Sequence, residues 1–330
     1  MHDLENFIKT LLQEEKLNIV DVGATGGPEL RWRHWQQLCF FHTFDPDPRA
    51  QPWECASKNY PIGLWSHKCS QTLHLASYPP SSSLFLPNQE LTHSFPIHNG
   101  MQNIGTRRIE LATMDYILKG EKIDFIKIDA EGAELEILKG GQATLNSCLG
   151  IQLEALFCPL RHNAPTFTDL DAFVKNYDFQ LFHIQREHWL RKNRVSTFES
   201  TPQLIWGNVL YLLPKKVFLS RLKQSPEPHI LFGKYLTILF AYHLYDYAYE
   251  LCEEISLEEA KKIKQCLSTL ASSKQHLFPI LLSLLIGAGK YACSFTKKSK
   301  RHRLCYVNRK LRELGTACLY LGKNDFALYD

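Results

Sequence analysis

The sequence lacks the features that mark several protein classes. None of its ten cysteines stands in a CxxC pair, which excludes a zinc ribbon and argues against a dense disulfide framework. Apolar runs stay shorter than the roughly 18–20 residues that span a bilayer. Residues 1–17 are amphipathic and acidic, without the basic end and apolar block of a signal peptide. We therefore expect a protein of a reducing, cytoplasmic setting.

Charge is unevenly distributed along the 330 residues. Residues 1–213 hold 24 Asp+Glu against 19 Lys+Arg, whereas residues 214–330 hold 10 against 19, so the net charge of +4 comes from the second part. The block 297–312 has eight Lys or Arg and no acid. Such a block is most often a solvated helix face, but it also fits an acidic protein or the anionic inner face of a membrane. No aromatic binding motif accompanies the charges, so no nucleic acid is expected.

Short β-rich runs alternate with helical patterns from residue 17 to residue 213. This alternation predicts a mostly parallel sheet with helices on both faces. The last two runs have no helix between them, so an antiparallel hairpin at one edge is expected. The predicted strands are 17–24, 41–47, 60–66, 124–129, 150–156, 180–185 and 203–213, and the predicted helices are 28–38, 132–145 and 167–177.

Two segments depart from the alternation. Residues 67–112 are rich in Ser, Pro, His and Asn and are interpreted as an insertion of hairpins and loops. Residues 215–330 have helical patterns throughout and follow Pro214, which ends the last strand. The sequence therefore predicts two domains, an α/β domain at 1–214 and an all-helical domain at 215–330, which could also mediate a homodimer.

The motif DVGATGG (residues 21–27) joins the first strand to a helix. Its glycines allow a tight turn and a close approach of the backbone to a ligand at the helix start. An acid at the end of the next strand can accept the hydroxyls of a ribose. The candidate cofactor-binding residues here are Asp21, Gly23, Ala24, Thr25, Gly26, Gly27 and Asp45.

Three interpretations of this motif are open. A dinucleotide fingerprint, GxGxxG, fails because Thr25 and Pro28 occupy glycine positions. A protein that binds S-adenosylmethionine needs an acid and then a glycine-containing loop, which Asp21 and Gly23 provide. A turn without a ligand is the third interpretation. The spacing favours the methyl donor.

A second block strengthens this interpretation. Together with DVGATGG and FDPDP (residues 44–48), DFIKIDAEGAELEILKGG (residues 124–141) closely resembles the FkbM-type methyltransferases, a branch of the class I S-adenosylmethionine-dependent fold. The resemblance covers roughly residues 17–213 and departs from the family at Thr25 and Asn208. It implies a Rossmann-like class I methyltransferase sheet, mostly parallel with an antiparallel last strand. It also implies methyl transfer from S-adenosylmethionine, usually to a hydroxyl of a sugar, glycolipid, polysaccharide or natural product.

Within that resemblance, the acids after the fourth predicted strand become candidates for the acceptor site. Asp129 and Glu131, with Glu154 on the next strand, could orient an acceptor hydroxyl or act as a base. They could also hold a divalent metal ion, which is allowed but not expected. For Glu134 helix capping is the favoured role. Lys127 is expected either to pair with an acid of the site or to have its hydrogen bonds satisfied at the rim of the sheet.

Three further residues complete the candidate set. His162, after the fifth predicted strand, is a candidate general base, although a solvated surface histidine is the commoner case. Trp65 is a candidate to stack on the adenine ring of the cofactor, and Ser66 beside it is a further candidate cofactor-binding residue. The alternative for Trp65 is ordinary packing in the core. Two rival functions are kept: a non-catalytic scaffold on a methyltransferase fold, with its pocket blocked by residues 67–106, and an NAD-dependent oxidoreductase.

Overall fold

A computed structural model of the chain describes residues 2–27, 29–50, 56–193 and 200–269, without the side chains of residues 2, 3, 97 and 98. One compact unit runs from Met1 to Leu257, and a second begins at Glu258. Of the second unit, residues 258–269 are described and are helical. The basic block 297–312 lies outside the described residues. Among the described residues, no helix is long and apolar enough to cross a membrane.

The strands of the first unit form two sheets. They are β1 (Leu17–Val22), β2 (Cys39–Phe44), β3 (Lys58–Tyr60), β4 (Gly63–Leu64), β5 (Cys69–Ala76), β6 (Asn103–Ala112), β7 (Phe125–Ile128), β8 (Gly150–Leu156), β9 (Gln180–Trp189) and β10 (Gln203–Leu212). The helices are α1 (His2–Leu12), α2 (Leu30–Arg33), α3 (Gln89–Thr92), α4 (Met114–Ile117), α5 (Glu134–Lys139), α6 (Gln142–Leu145), α7 (Phe167–Val174), α8 (Lys215–Gln224), α9 (Pro228–Ala241) and α10 (Tyr245–Glu254).

The main sheet has seven strands in the order β3-β2-β1-β7-β8-β10-β9. The five strands from β3 to β8 pair in parallel, and β10 runs antiparallel to both β8 and β9. The prediction of a mostly parallel sheet with an antiparallel last strand is therefore confirmed. Every residue of β7 and β8 is buried, as expected for central strands covered on both faces. Strand order reverses between β1 and β7, and a crevice for a ligand forms at such a point.

Some local predictions differ from the structure. The predicted strand 60–66 is two strands, β3 in the main sheet and β4 in a smaller sheet with β5 and β6. Pro61, which has no N–H to donate, follows the last residue of β3. The predicted helix 28–38 is helical in α2 for only four residues. The predicted break at Gly140 and Gly141 is confirmed, since these residues separate α5 from α6.

The helices after Pro214 pack in the same compact unit as the sheet, whereas the sequence placed a domain boundary there. Helix α9 approaches α1 so closely that a Cβ on Gly233 would lie 2.8 Å from Cβ of Leu11. The buried Lys234 Nζ lies 2.9 Å from Oδ2 of Asp124, just before β7. Contacts between elements distant in sequence decide this arrangement, and local composition does not report them.

The Lys234–Asp124 ion pair gives the first prediction. Lys234→Met should lower the free energy of unfolding by about 3 kcal/mol, because it leaves the buried Asp124 without its cation. Lys9→Met is the matched control: it removes the more exposed pair with Glu5 and should cost less than about 0.5 kcal/mol. Urea unfolding measures both. Losses of equal size would contradict a stabilising role for the buried pair.

Candidate active site

The register of the central strands aligns polar residues on one face of the sheet. Asp21 of β1 lies opposite Lys127 of β7, which lies opposite Gln152 of β8. Side chains two residues apart on a strand share a face. Glu154 therefore lies on the same face as Gln152, and its partner in register on β10 is Asn208. A polar row thus crosses the sheet where the strand order reverses.

Lys127 is the buried centre of this row. Its Nζ lies 3.1 Å from Oδ1 of Asp21 and 3.6 Å from Oδ2 of Asp129. Burial lowers the pKa of Lys127, but the two carboxylates outweigh burial, so the pKa is raised and the ammonium stays charged. Lys127 therefore pairs with acids of the site. Asp21 lies buried beneath it, and burial raises the pKa of that carboxyl group against the opposing effect of Lys127.

The loop after β1 lies against the end of β7. Gly23 has a φ of +76°, and a Cβ there would lie 1.9 Å from the carbonyl oxygen of Asp129. Only glycine fits this close approach. Ala24 is buried, whereas Gly26 and Gly27 turn the chain with positive φ values of 89° and 87°. The loop backbone is therefore held at the carboxyl end of β1.

Asp45, which follows β2, is held by that loop. Its Oδ2 accepts a hydrogen bond of 2.5 Å from the hydroxyl of Thr25, and its Oδ1 accepts one of 2.9 Å from the N–H of Asp47. Burial raises the pKa of Asp45, and these two hydrogen bonds oppose that effect. A carboxylate offers about four lone-pair directions, so capacity remains for a ligand.

Glu131 is turned toward protein partners. Its Oε2 lies 2.5 Å from Nη2 of Arg161, a buried residue whose guanidinium also donates to the carbonyl oxygens of Ser81 and Phe85. The hydroxyl of Ser83 donates to the carbonyl oxygen of Glu131 at 2.7 Å. Burial raises the pKa of Glu131, and Arg161 opposes that rise. This cluster ties the 81–85 segment of the insertion to the loop after β7.

Glu134 has the structural role that the sequence favours. Its Oε1 accepts hydrogen bonds from the N–H groups of Ala130, at 2.8 Å, and Gly132, at 3.3 Å. Burial raises the pKa of this carboxyl group to about 7. Glu134 therefore shapes the loop that begins α5.

Glu154 and Asn208 are polar groups that lack a hydrogen bond at one atom each. Oε2 of Glu154 and Oδ1 of Asn208 are buried and have no partner. Burial, and next the charges of Glu131 and Asp129, raise the pKa of Glu154 well above its ordinary value. In its protonated form the side chain can donate one hydrogen bond. Two buried atoms without partners are costly unless a ligand satisfies them.

One cavity of about 520 Å³ connects these features. Gly23, Thr25, Gly27 and Asp45 line one part of it, and Asp129, Glu131 and Glu154 line another. The Ser- and Pro-rich insertion contributes a wall, and Trp189 and Trp206 contribute aromatic surface. The residues of this wall include Tyr78, Pro79, Pro80, Ser81, Ser82, Ser83 and Leu84.

Six predicted site residues do not line this cavity: Asp21, Ala24 and Gly26, which belong to β1 and its loop, and Trp65, Ser66 and His162. Trp65 faces a separate depression beside Phe85, and Leu64 lines the main cavity instead. The hydroxyl of Ser66 is 3.1 Å from Nδ1 of His67. His162 is exposed in its loop, with its N–H bonded to the carbonyl oxygen of Leu86. Strand ends correctly indicate an edge of the sheet, but the direction of loop side chains depends on tertiary packing.

A metal site is not formed by the predicted acids in this conformation. Over the described ranges, no group of three or more His, Cys, Asp or Glu residues has a suitable arrangement. Glu131 is paired with Arg161, and Asp129 is paired with Lys127. The acids that could share an ion therefore already have cationic partners, with Glu154 as the exception.

Sequence reasoning missed several residues of the site. Arg161 follows β8 in the segment CPLRHNAP, in which the sequence predicts a role for the neighbouring His162. Gln152 precedes Glu154 by two residues, so the period of a strand could have placed it on the same face. Glu29 lines the cavity just after the glycine loop. No local signal indicates Tyr242, which reaches Gln152 from beyond α9.

Comparisons with known proteins give a family match and several similar structures. Residues 21–181 match the model of the methyltransferase FkbM domain. Comparison of the sequence with curated proteins gives no match. Among solved structures, the chain is similar to the methyltransferase FkbM from Methylobacillus flagellatus KT, with 18% identity and a TM-score of 0.35. The match covers 60% of this chain and 43% of that protein, so the chain spans less than half of its length.

Two further structures are similar at lower identity. The magnesium protoporphyrin IX methyltransferase from Synechocystis PCC 6803, with bound SAM, is 9% identical over 64% of this chain and 79% of its own, with a TM-score of 0.29. TrmK of M. capricolum, in complex with S-adenosyl-homocysteine, is 8% identical over 79% and 93%, with a TM-score of 0.26. Residues 21–181 therefore match the methyltransferase FkbM domain, and this segment contains both strand ends of the site.

Proposed function

We propose that this protein transfers a methyl group from S-adenosylmethionine to a hydroxyl group of a sugar, glycolipid, polysaccharide or natural product. The observation that carries the proposal is the single cavity between the glycine loop with Asp45 and the acids Asp129 and Glu154. A donor and an acceptor must meet in one space for a direct transfer. Positioning the two partners supplies much of the acceleration in such a displacement.

The residues in the part of the cavity beside the glycine loop fit the methyl donor. The φ of +76° at Gly23 and its contact with β7 keep the loop backbone at the strand ends, where a nucleoside can approach it. Asp45 retains lone pairs for the ribose hydroxyls beside its bonds from Thr25 and Asp47. S-adenosylmethionine supplies a cationic, methyl-bearing sulfonium when bound. The acids around Lys127 favour a cation in this space.

The residues in the part of the cavity beside Asp129 and Glu154 fit a hydroxyl acceptor. As the new O–CH₃ bond forms and the S–CH₃ bond breaks, the hydroxyl loses its proton. Asp129 is the carboxylate placed to accept it, because its side chain is 39% exposed and Lys127 holds it. Glu154, which lines the same part of the cavity and has an unpartnered Oε2, can hold the same hydroxyl by a hydrogen bond.

The acceptor is expected to be uncharged. Asp129 and Glu131 contribute negative charge to this part of the cavity, and Lys127 and Arg161 are already paired with acids. An acid or phosphate on the acceptor would therefore be repelled. The indole rings of Trp189 and Trp206 offer apolar surface on which the face of a ring can pack. These features support a neutral, hydroxyl-bearing ring.

The scaffold alternative predicts that residues 67–106 fill the acceptor space. Insertion residues from Leu73 to Met101 do line the cavity, yet about 520 Å³ is left between them and the strand ends. The cavity therefore gives the scaffold alternative no support. Calorimetry with S-adenosylmethionine and, in parallel, with NAD distinguishes all three functions.

The donor site gives the second prediction. Wild type should bind S-adenosylmethionine with micromolar affinity and NAD not at all. Asp45→Asn should raise the Kd for S-adenosylmethionine about tenfold or more, because hydrogen bonds to a charged group are lost. Asp246→Asn, at an exposed site on α10, is the matched control and should bind as wild type does.

Each outcome of the titration has a distinct meaning. Wild-type affinity in Asp45→Asn would move the ribose contact to another residue. If wild type bound neither ligand, the proposed enzyme function would be rejected in favour of the scaffold. Binding of NAD alone would favour the oxidoreductase.

Glu154 gives the third prediction, a dependence of stability on pH. Because its folded-state pKa is raised, its contribution is fully present below the unfolded pKa of about 4.3 and is lost as pH rises through the folded pKa. Between about pH 5 and pH 8, wild type should lose at least about 1 kcal/mol more unfolding free energy than Glu154→Gln, which cannot ionise. Urea unfolding at both pH values measures this.

The control for this experiment is Glu90→Gln, at an exposed position of α3. Its unfolding free energy should follow that of wild type at each pH value. A Glu154→Gln protein that does the same would show that Glu154 is charged in the folded state and is not a hydrogen-bond donor to the acceptor.

A further inference from the structure

A tyrosine from outside the family-matched segment reaches the central strands of the sheet. Tyr242 follows the last residue of α9 and is buried. Its hydroxyl lies 2.6 Å from Oε1 of Gln152 on β8. Its ring packs between Trp32 and Phe125, with ring centroids at 5.9 Å and 5.6 Å. The tyrosine is therefore held rigidly, and its hydroxyl meets one atom of the polar row.

That contact sets the orientation of the Gln152 amide. A phenolic hydroxyl donates to Oε1, so the NH₂ group of the amide must face the other way. It does so: Nε2 of Gln152 donates to Oε1 of Glu29 at 2.5 Å. Without a donor on its oxygen, the amide could rotate and present that oxygen to the carboxylate, which would repel it.

The hydrogen bonds from Tyr242 to Gln152 and from Gln152 to Glu29 form a relay. Glu29 connects this relay to the cavity. It lines the cavity near Gly27 and Lys127. Its second oxygen lies 2.5 Å from Nε of Arg31, whose guanidinium carbon is 4.4 Å from the centre of the Tyr242 ring. Tyr242, Gln152, Glu29 and Arg31 thus form a closed ring of contacts. The carboxylate is fixed on both sides and still keeps lone pairs toward the cavity.

We propose that Tyr242 is a positioning residue of the methyl-donor site, acting through Gln152 to hold Glu29 where the ammonium group of S-adenosylmethionine binds. This inference rests on the proposed function. A carboxylate beside the glycine loop is the chemistry that an ammonium group requires, and a preset orientation lowers the cost of binding. The helices after Pro214 thereby complete a site whose other residues lie in the family-matched segment.

A tyrosine within α9 supplies the matched control. Tyr235 is also fully buried, and its hydroxyl donates to the carbonyl oxygen of Leu213 at 2.5 Å. It contacts no residue that lines the cavity through that bond. Tyr→Phe at either position removes one buried hydroxyl and keeps the ring. The cation–π contact of Arg31 with the ring at position 242 is therefore retained.

The fourth prediction compares the two variants by calorimetry with S-adenosylmethionine and by thermal unfolding. Tyr242→Phe should raise the Kd about tenfold, since one hydrogen bond of the relay is lost and the next is disturbed. Tyr235→Phe should bind as wild type does, with a loss of Tm at least as large. Wild-type affinity in Tyr242→Phe, or weakened binding in both variants in proportion to their Tm, would overturn the inference.

A double-mutant cycle tests the route of the effect. If Tyr242 acts through Glu29, Tyr242→Phe should change the Kd less than about twofold when introduced into Glu29→Gln. If the effects of the two substitutions on the Kd were fully additive, Tyr242 would not act through Glu29, and the inferred relay would be rejected. Failure of the wild-type protein to bind S-adenosylmethionine is a separate result, since it rejects the proposed function before any variant is compared.

Discussion

The ion pairs of the buried Lys127 are the constraint on which the site depends. Lys127 pairs with Asp21 on β1 and with Asp129 after β7, the two strands between which strand order reverses. A buried ammonium without these acids would be very costly, as would either acid without the ammonium. The same strand ends meet at Gly23, which has no side chain to separate them from Asp129. Charge pairing and close packing thus place the glycine loop beside the acids.

The acids after β7 divide into structural and chemical members. Glu134 accepts hydrogen bonds from the loop backbone, and Glu131 pairs with Arg161, which anchors the 81–85 segment. These contacts build the walls of the cavity. Asp129 and Glu154 remain available for chemistry, one as a partly exposed carboxylate and one as a buried acid whose pKa is raised. One short sequence block therefore carries both the scaffold of the site and its reactive groups.

Much of the sheet could be predicted from the sequence, because central parallel strands are apolar runs bounded by turn residues. Asp129 could be placed at the cavity for the same reason: strand ends meet at one edge. The direction of loop side chains could not be predicted, so His162 and Trp65 were expected at a cavity that they do not line. Tyr242 joins Gln152 across 90 residues of sequence, and no local pattern reports such a contact.

Amide hydrogen exchange with and without S-adenosylmethionine tests most directly that the cavity between the glycine loop and the strand ends at Lys127 binds the methyl donor. Exchange should slow in residues 21–27, 45–47 and 127–134, whose backbone surrounds the cavity, and should not change in α8, which lies outside it. Unchanged exchange in all three segments, or protection found only elsewhere in the chain, would contradict the account.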